Sequence, residues 1–201
     1  MSHNPLHDEL AYLKGLAEEG GIGPVRNGAS LVSAGIVYGL AAVAHYLAIK
    51  GFLPLTAWTP AIIWFGASVI FAAVSIAFHS RRAPGETSVG ARASTAAGSG
   101  VGIAIMVFIL TLIVIANVLK DFSAVSFLIA PVVLILYGIG WWVGGAIANR
   151  RWVKMTAFGS FLAAPVITLL AGRAEELLAY AVCLILFTTV PGIILLRADK
   201  V

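Results

Sequence analysis

Six stretches of this chain run without an Asp, Glu, Lys or Arg in their interiors, near residues 29–49, 59–79, 98–118, 124–149, 153–171 and 176–197. Each is about the 20 residues that an α-helix needs to cross the hydrocarbon core of a bilayer. A water-soluble fold has nowhere to put six such segments, because its surface must be largely polar. The composition agrees: 60% of residues are hydrophobic and 11% are charged, against about 25% charged in a soluble domain. The runs are continuous rather than alternating, and an open sheet cannot leave its edges in lipid, so strands are excluded. The expected fold is all-α, a polytopic membrane helix bundle with six transmembrane helices. A short amphipathic cytoplasmic helix is expected to precede it, which divides the chain into 1–27, the membrane domain 28–197 and a tail 198–201.

The basic residues orient the bundle. With the N-terminus inside, the inner segments hold Lys14, Arg26, Arg81, Arg82, Arg92, Arg150, Arg151, Lys154, Arg197 and Lys200. The outer loops then hold only Lys50, Lys120 and Arg173. An excess of that size on one side follows the positive-inside rule and places both termini in the cytoplasm, in a bacterial inner (plasma) membrane. The net charge of +4 is spread over the ends of apolar runs instead of gathering on one face, which argues against nucleic acid as a partner. The 28 residues before the first run are too long and too acidic for the basic leader of a signal peptide, so that run is expected to stay as an anchor.

Residues 5–19 have the pattern of a helix, with Asn4 as cap, Pro5 at its first position and Gly20-Gly21 at its end. Leu6, Leu10 and Leu13 recur on one face, with Tyr12 and Leu16 beside them. The charges are Asp8, Glu9, Glu18 and Glu19 against Lys14. Helices that lie on membranes are usually basic, because the inner leaflet is anionic. This stripe is therefore expected to dock on protein: the chain's own loops, a partner or a second copy.

Within lipid, helices approach through small residues. Gly35 and Gly39 share a face in the first run, Gly98 and Gly102 in the third, and Gly140 and Gly144 in the fourth; Gly159 and Ala163 add a weaker version in the fifth. Short connections from the third run onward predict antiparallel hairpins. Trp58, Tyr46, Trp141, Trp142 and Trp152 fall near the predicted interfaces and are expected as anchors there.

Pro131, Pro165 and Pro191 lie inside runs, and each frees the carbonyl four residues earlier, on Phe127, Phe161 and Phe187. Pro131 and Pro165 are predicted at one depth on neighbouring helices. Two kinks there would open a small cavity lined by Phe127, Pro131, Phe161, Pro165 and Thr168, sized for a lipid chain or a neutral molecule. Kinks that merely shape the bundle are the plainer expectation.

Chemistry is otherwise scarce. Driven transporters carry ionisable groups within their spans, and these runs carry none. His45 lies at the outer end of the first helix and His79 at the inner end of the second, so the two cannot ligate one haem within a single subunit. Cys183 is expected to be a buried, inert thiol. No catalytic, phosphate-binding or metal-binding motif is present, so no cofactor, no metal and no enzymatic role are expected. Membrane lipids are expected partners, together with a protein or a second copy. The function that fits is a non-catalytic accessory or scaffolding subunit of a membrane assembly. A passive channel or carrier for a small neutral or lipidic solute is the alternative.

Overall fold

The computed structural model describes residues 28–56, 58–80 and 89–198, together with Glu9. Apart from Glu9, the expected docking helix with Leu6, Leu10, Tyr12, Leu13 and Leu16 lies outside the described residues.

Among the described residues there are helices and turns and no strand. In chain order they are α1 (Gly28–Ile49), α2 (Thr59–Ser80), α3 (Val89–Leu119), the single turn α4 (Ser123–Ser126), α5 (Ile129–Ile147), α6 (Arg151–Thr168) and α7 (Glu175–Leu184). A π-turn (Ile185–Thr189) then joins α7 to α8 (Val190–Ala198).

The ends of these rods follow from local chemistry. Three helices stop by turning one residue left-handed: Gly51 at φ 83°, Lys120 at φ 57° and Asn149 at φ 50°. In each case the next amide reaches back five residues, from Phe52 to Leu47 O, Asp121 to Ala116 O and Arg150 to Gly145 O. That bond occupies a carbonyl the helix leaves open. Asp121 then starts α4 by accepting bonds from the Ser123 amide at 2.9 Å and its hydroxyl at 2.5 Å. Those two bonds hold the Asp121 carboxyl below the usual carboxylate range, the hydroxyl contributing most.

Among the described residues five helical stretches are long and apolar enough to cross a membrane: Gly28–Ile49, Thr59–Phe78, Thr95–Leu119, Ser123–Ile147 and Glu175–Arg197. This differs from the six expected by one. The exception is α6, only 18 residues long, whose first turn carries Arg151 and Lys154 and so dilutes its apolar character.

Four rods form the centre, the last of them made of α7, the π-turn and α8. α5 lies along α6, and α1 lies against α7, the π-turn and α8, so the first rod closes onto the last. The central cluster takes Ala42 from α1, Ala130, Val133 and Leu134 from α5, Ala164 and Ile167 from α6, and Tyr180, Ala181 and Leu184 from α7. A second cluster joins Trp141, Val153, Ala157 and Leu195. Four of the nine residues in the first cluster are alanine, which lets backbones come close where lipid offers little hydrophobic drive for association. α2 and α3 flank this centre, α2 on α1 and α3 on α5.

One ion pair ties the loop after α1 to the start of α7: Lys50 Nζ lies 2.7 Å from Glu175 Oε1. The Glu175 hydrogen bond and then its charge hold the Lys50 ammonium above its ordinary range. Its contribution is full below the ordinary lysine value and fades as pH rises through the raised one. Both groups are exposed, so the pair adds little stability; it does put the end of α1 and the start of α7 on the same side.

Candidate functional site

The π-turn is the most irregular stretch of the bundle interior, and π-turns inside helices frequently mark functional sites. Its cause is in the sequence. Pro191 has no amide to donate, and the Val190 amide reaches back to Ile185 O, five residues rather than four. The carbonyl of Phe187 is taken instead by the indole of Trp141, with Nε1 2.7 Å away. A donor on α5 therefore satisfies an acceptor on the last rod and clamps the two at the turn. Trp141, 8% exposed, is thus part of the core and not the interface anchor expected of it. The pattern of aromatics at run ends did not separate it from its neighbour Trp142.

Around the clamp, glycines make notches for rings and helices. The Phe187 ring sits over Gly159, where an added Cβ would meet Cε1 at 2.6 Å. The Phe161 ring fills the corresponding notch at Gly138. Ser160 donates to Leu134 O at 2.8 Å and fixes α6 to α5. Thr189, on the π-turn, presses on Gly35, and its buried hydroxyl has no partner among the described residues.

Beside Trp141 lies a cavity of about 140 Å³, at the end of the bundle that carries Arg150 and Arg151. Leu31, Val101 and Tyr137 line it together with the backbone of Gly98, Gly140 and Gly144. Those glycines explain it, since no side chain projects from three of its wall positions. The expected packing glycines thus have different fates. Gly35 and Gly39 are buried on α1 against the last rod, and Gly140 rests against Val101. A Cβ at Gly102 or Gly144 would meet nothing within 4 Å.

The cavity expected at Pro131 and Pro165 requires correction. Pro131 lies in the first turn of α5, where a missing amide costs nothing and no kink results. Pro165 is inside α6 but exposed, and Thr168 is exposed too, donating to Ala164 O of its own helix at 2.9 Å. Phe127 stands between α4 and α5, while Phe161 is in the Gly138 notch. At that level Ala130, Val133, Ala164 and Ile167 pack into the central cluster. The cavity beside Trp141 is lined by none of the five.

Aromatic contacts missed in the sequence hold α2 in place. Trp64 donates to His45 Nδ1 at 3.2 Å, stacks on Tyr38 at 6.4 Å and meets Tyr180 at 6.4 Å. His45 is therefore an acceptor between helices. Trp64 carried no signal of this, because its run reads as uniformly apolar.

Among the described residues no three His, Cys, Asp or Glu side chains gather as a metal site would need. What the arrangement offers is a rigid clamp and a small cavity with one phenol and one indole in its wall. It can admit an apolar group of modest size. Comparison with family models, with curated proteins and with solved structures gives no match to this chain.

Proposed function

We propose that the chain is a six-span protein of a bacterial inner membrane, with both termini in the cytoplasm, acting as a non-catalytic accessory or scaffolding subunit of a membrane assembly. Self-association is one form of that role. α6 serves as the sixth span in this reading, its first-turn Arg151 and Lys154 at the cytoplasmic boundary. The observation that carries the reading is the open face of α3. That rod is packed mainly against α5, on the side where Gly98 walls the cavity, and its Gly102 is exposed with nothing within 4 Å of an added Cβ. A small-residue face of this kind lets another helix approach closely in lipid. The acidic stripe with Leu6, Leu10, Tyr12, Leu13 and Leu16 supplies a second contact, on the cytoplasmic side.

Cross-linking tests this. In a Cys183→Ala background, Gly102→Cys in native membranes should give an oxidised adduct, either of doubled mass or with another membrane protein. Recovery of monomer alone, with the thiol still reactive, would remove the α3 face from the proposal.

The cavity beside Trp141 favours a second reading, a passive carrier of a small apolar or lipidic solute. Its volume of about 140 Å³ is close to the roughly 150 Å³ that accepts benzene in an engineered protein core. On that reading Gly144→Leu should abolish binding of a benzene-sized probe while the fold persists; unchanged binding would place the probe elsewhere.

A further inference from the structure

We propose that the outward face of the α5–α6 hairpin binds an anionic phospholipid, with its phosphate on Arg151 and Lys154 and one acyl chain in the groove above them. The proposal rests on the membrane reading just given.

The groove has a volume of about 320 Å³ and is lined by Ile139 and Trp142 of α5 and by Phe158 and Phe161 of α6. Trp142 and Phe158 meet at 6.5 Å between centroids, tilted by 49°. Phe161 sinks into the Gly138 notch, which recesses the floor between the two helices.

The same helix faces bring cations to one end of this groove. Arg151, Lys154, Phe158 and Phe161 follow one another at three- and four-residue steps, so they share a side of α6. The Lys154 stem lies against Gly145 of α5, on the groove side of the turn. Phe158 is two helical turns above Arg151, about 10 Å along the axis. That places the cations at headgroup depth when the rings are at acyl depth.

Charge selects the occupant. The first turn of α6 holds no acidic residue, and its cap, Arg150, makes no side-chain bond to the helix. Among the described residues the one ion pair is Lys50 with Glu175, at the other end of the bundle. Among the described residues, therefore, Arg151 and Lys154 have no carboxylate partner. A second copy in the same orientation would bring its own Arg150, Arg151 and Lys154 to the same depth and be repelled. An anionic headgroup with an apolar tail satisfies both parts, and basic sites between helices on the cytoplasmic side bind such lipids.

The test uses the full chain in phosphatidylcholine vesicles doped, at equal mole fraction, with tail-brominated phosphatidylglycerol or tail-brominated phosphatidylcholine. The Trp142 signal is read as wild type minus Trp142→Phe. Brominated phosphatidylglycerol should quench that signal more strongly. Arg151→Gln and Lys154→Gln should each lower the preference about five-fold, the change that about 1 kcal/mol per surface cation gives. Lys120→Gln, at the opposite end, should retain it. Equal quenching by both lipids overturns the proposal, as does a preference that survives the double variant or is lost equally in Lys120→Gln. A Trp142 signal quenched by neither lipid, with the other tryptophans quenched, means that protein covers the groove and also overturns it. If none of the five tryptophans is quenched by either lipid, the membrane reading itself has failed.

Discussion

A Gly35→Val chain is expected to lose about 3 kcal/mol of stability, the upper end of the usual cost of overpacking a filled core. The reason is backbone, not side chain. A Cβ at residue 35 would run into the Thr189 hydroxyl, and it would also meet the Thr189 amide at 2.9 Å and the Leu184 carbonyl at 3.1 Å. The hydroxyl can rotate away; the π-turn backbone cannot, because the Trp141 clamp and Pro191 fix it. The same crossing is tight one and two turns earlier. Gly28 would meet Gly192 O at 2.8 Å, and Gly192 would meet the Val32 amide at 2.9 Å. α1 and the last rod thus touch backbone to backbone along this face, and an added methyl forces them apart. Denaturation in bicelles, followed by far-UV circular dichroism, measures the loss. Gly102→Val is the control, since open space surrounds that position, and it should change stability by less than about 0.5 kcal/mol. Helix propensity favours valine over glycine at both positions, so equal losses would point to a cause common to the two sites, and the close crossing would not be it.

The contrast between Gly35 and Gly102 shows how far the sequence could be read. Each glycine shares a small face with another glycine four residues away, and nothing in the string says which face is filled. The answer depends on which rods neighbour each other. The closing of α1 onto the last rod joins residues about 150 apart in the chain (Gly35 with Thr189), far beyond any local periodicity. What was legible was what each run needed by itself: an apolar interior and a charged boundary. The prolines divide in the same way. For Pro191 the freed acceptor on Phe187 was correctly placed, because the preceding carbonyl is fixed by chain geometry. For Pro131 the same rule misled, because the position lies in the first turn of α5 and the apolar run gave no sign that the helix begins so late. The Asp121–Ser123 pair marks the start of α4, but nothing apart from Pro131 itself marks the break before α5. The donor for Phe187 was out of reach as well, since Trp141 and Trp142 look alike in sequence and only the hairpin's rotation decides which faces inward. α6 is the harder case: its charges are where a boundary should have them, but they fall inside the helix and shorten its apolar length.

That clamp leads to a sharper prediction than the loss of one hydrogen bond. Trp141→Phe keeps an aromatic ring in the cluster with Val153, Ala157 and Leu195 and removes only the donor to Phe187 O. A bond between membrane helices is often worth less than 1 kcal/mol, since the separated groups find other partners. Here the ordinary partner is missing, because residue 191 is proline and has no amide. The carbonyl is left unsatisfied in a closed interior, and the expected loss is about 2 kcal/mol, within the range for an orphaned buried acceptor. Pro191→Ala restores an amide at the position that normally serves that carbonyl. In the Pro191→Ala background Trp141→Phe should therefore cost only about 0.5 kcal/mol, a coupling of the size seen between directly interacting residues. The same restored amide should let the π-turn tighten toward an α-helix, which hydrogen exchange at Thr188 and Thr189 would register as slower opening. If the tryptophan substitution costs the same in both backgrounds, the indole contributes packing alone. The freed carbonyl would then not be what holds α5 to the last rod, and the π-turn would need another cause.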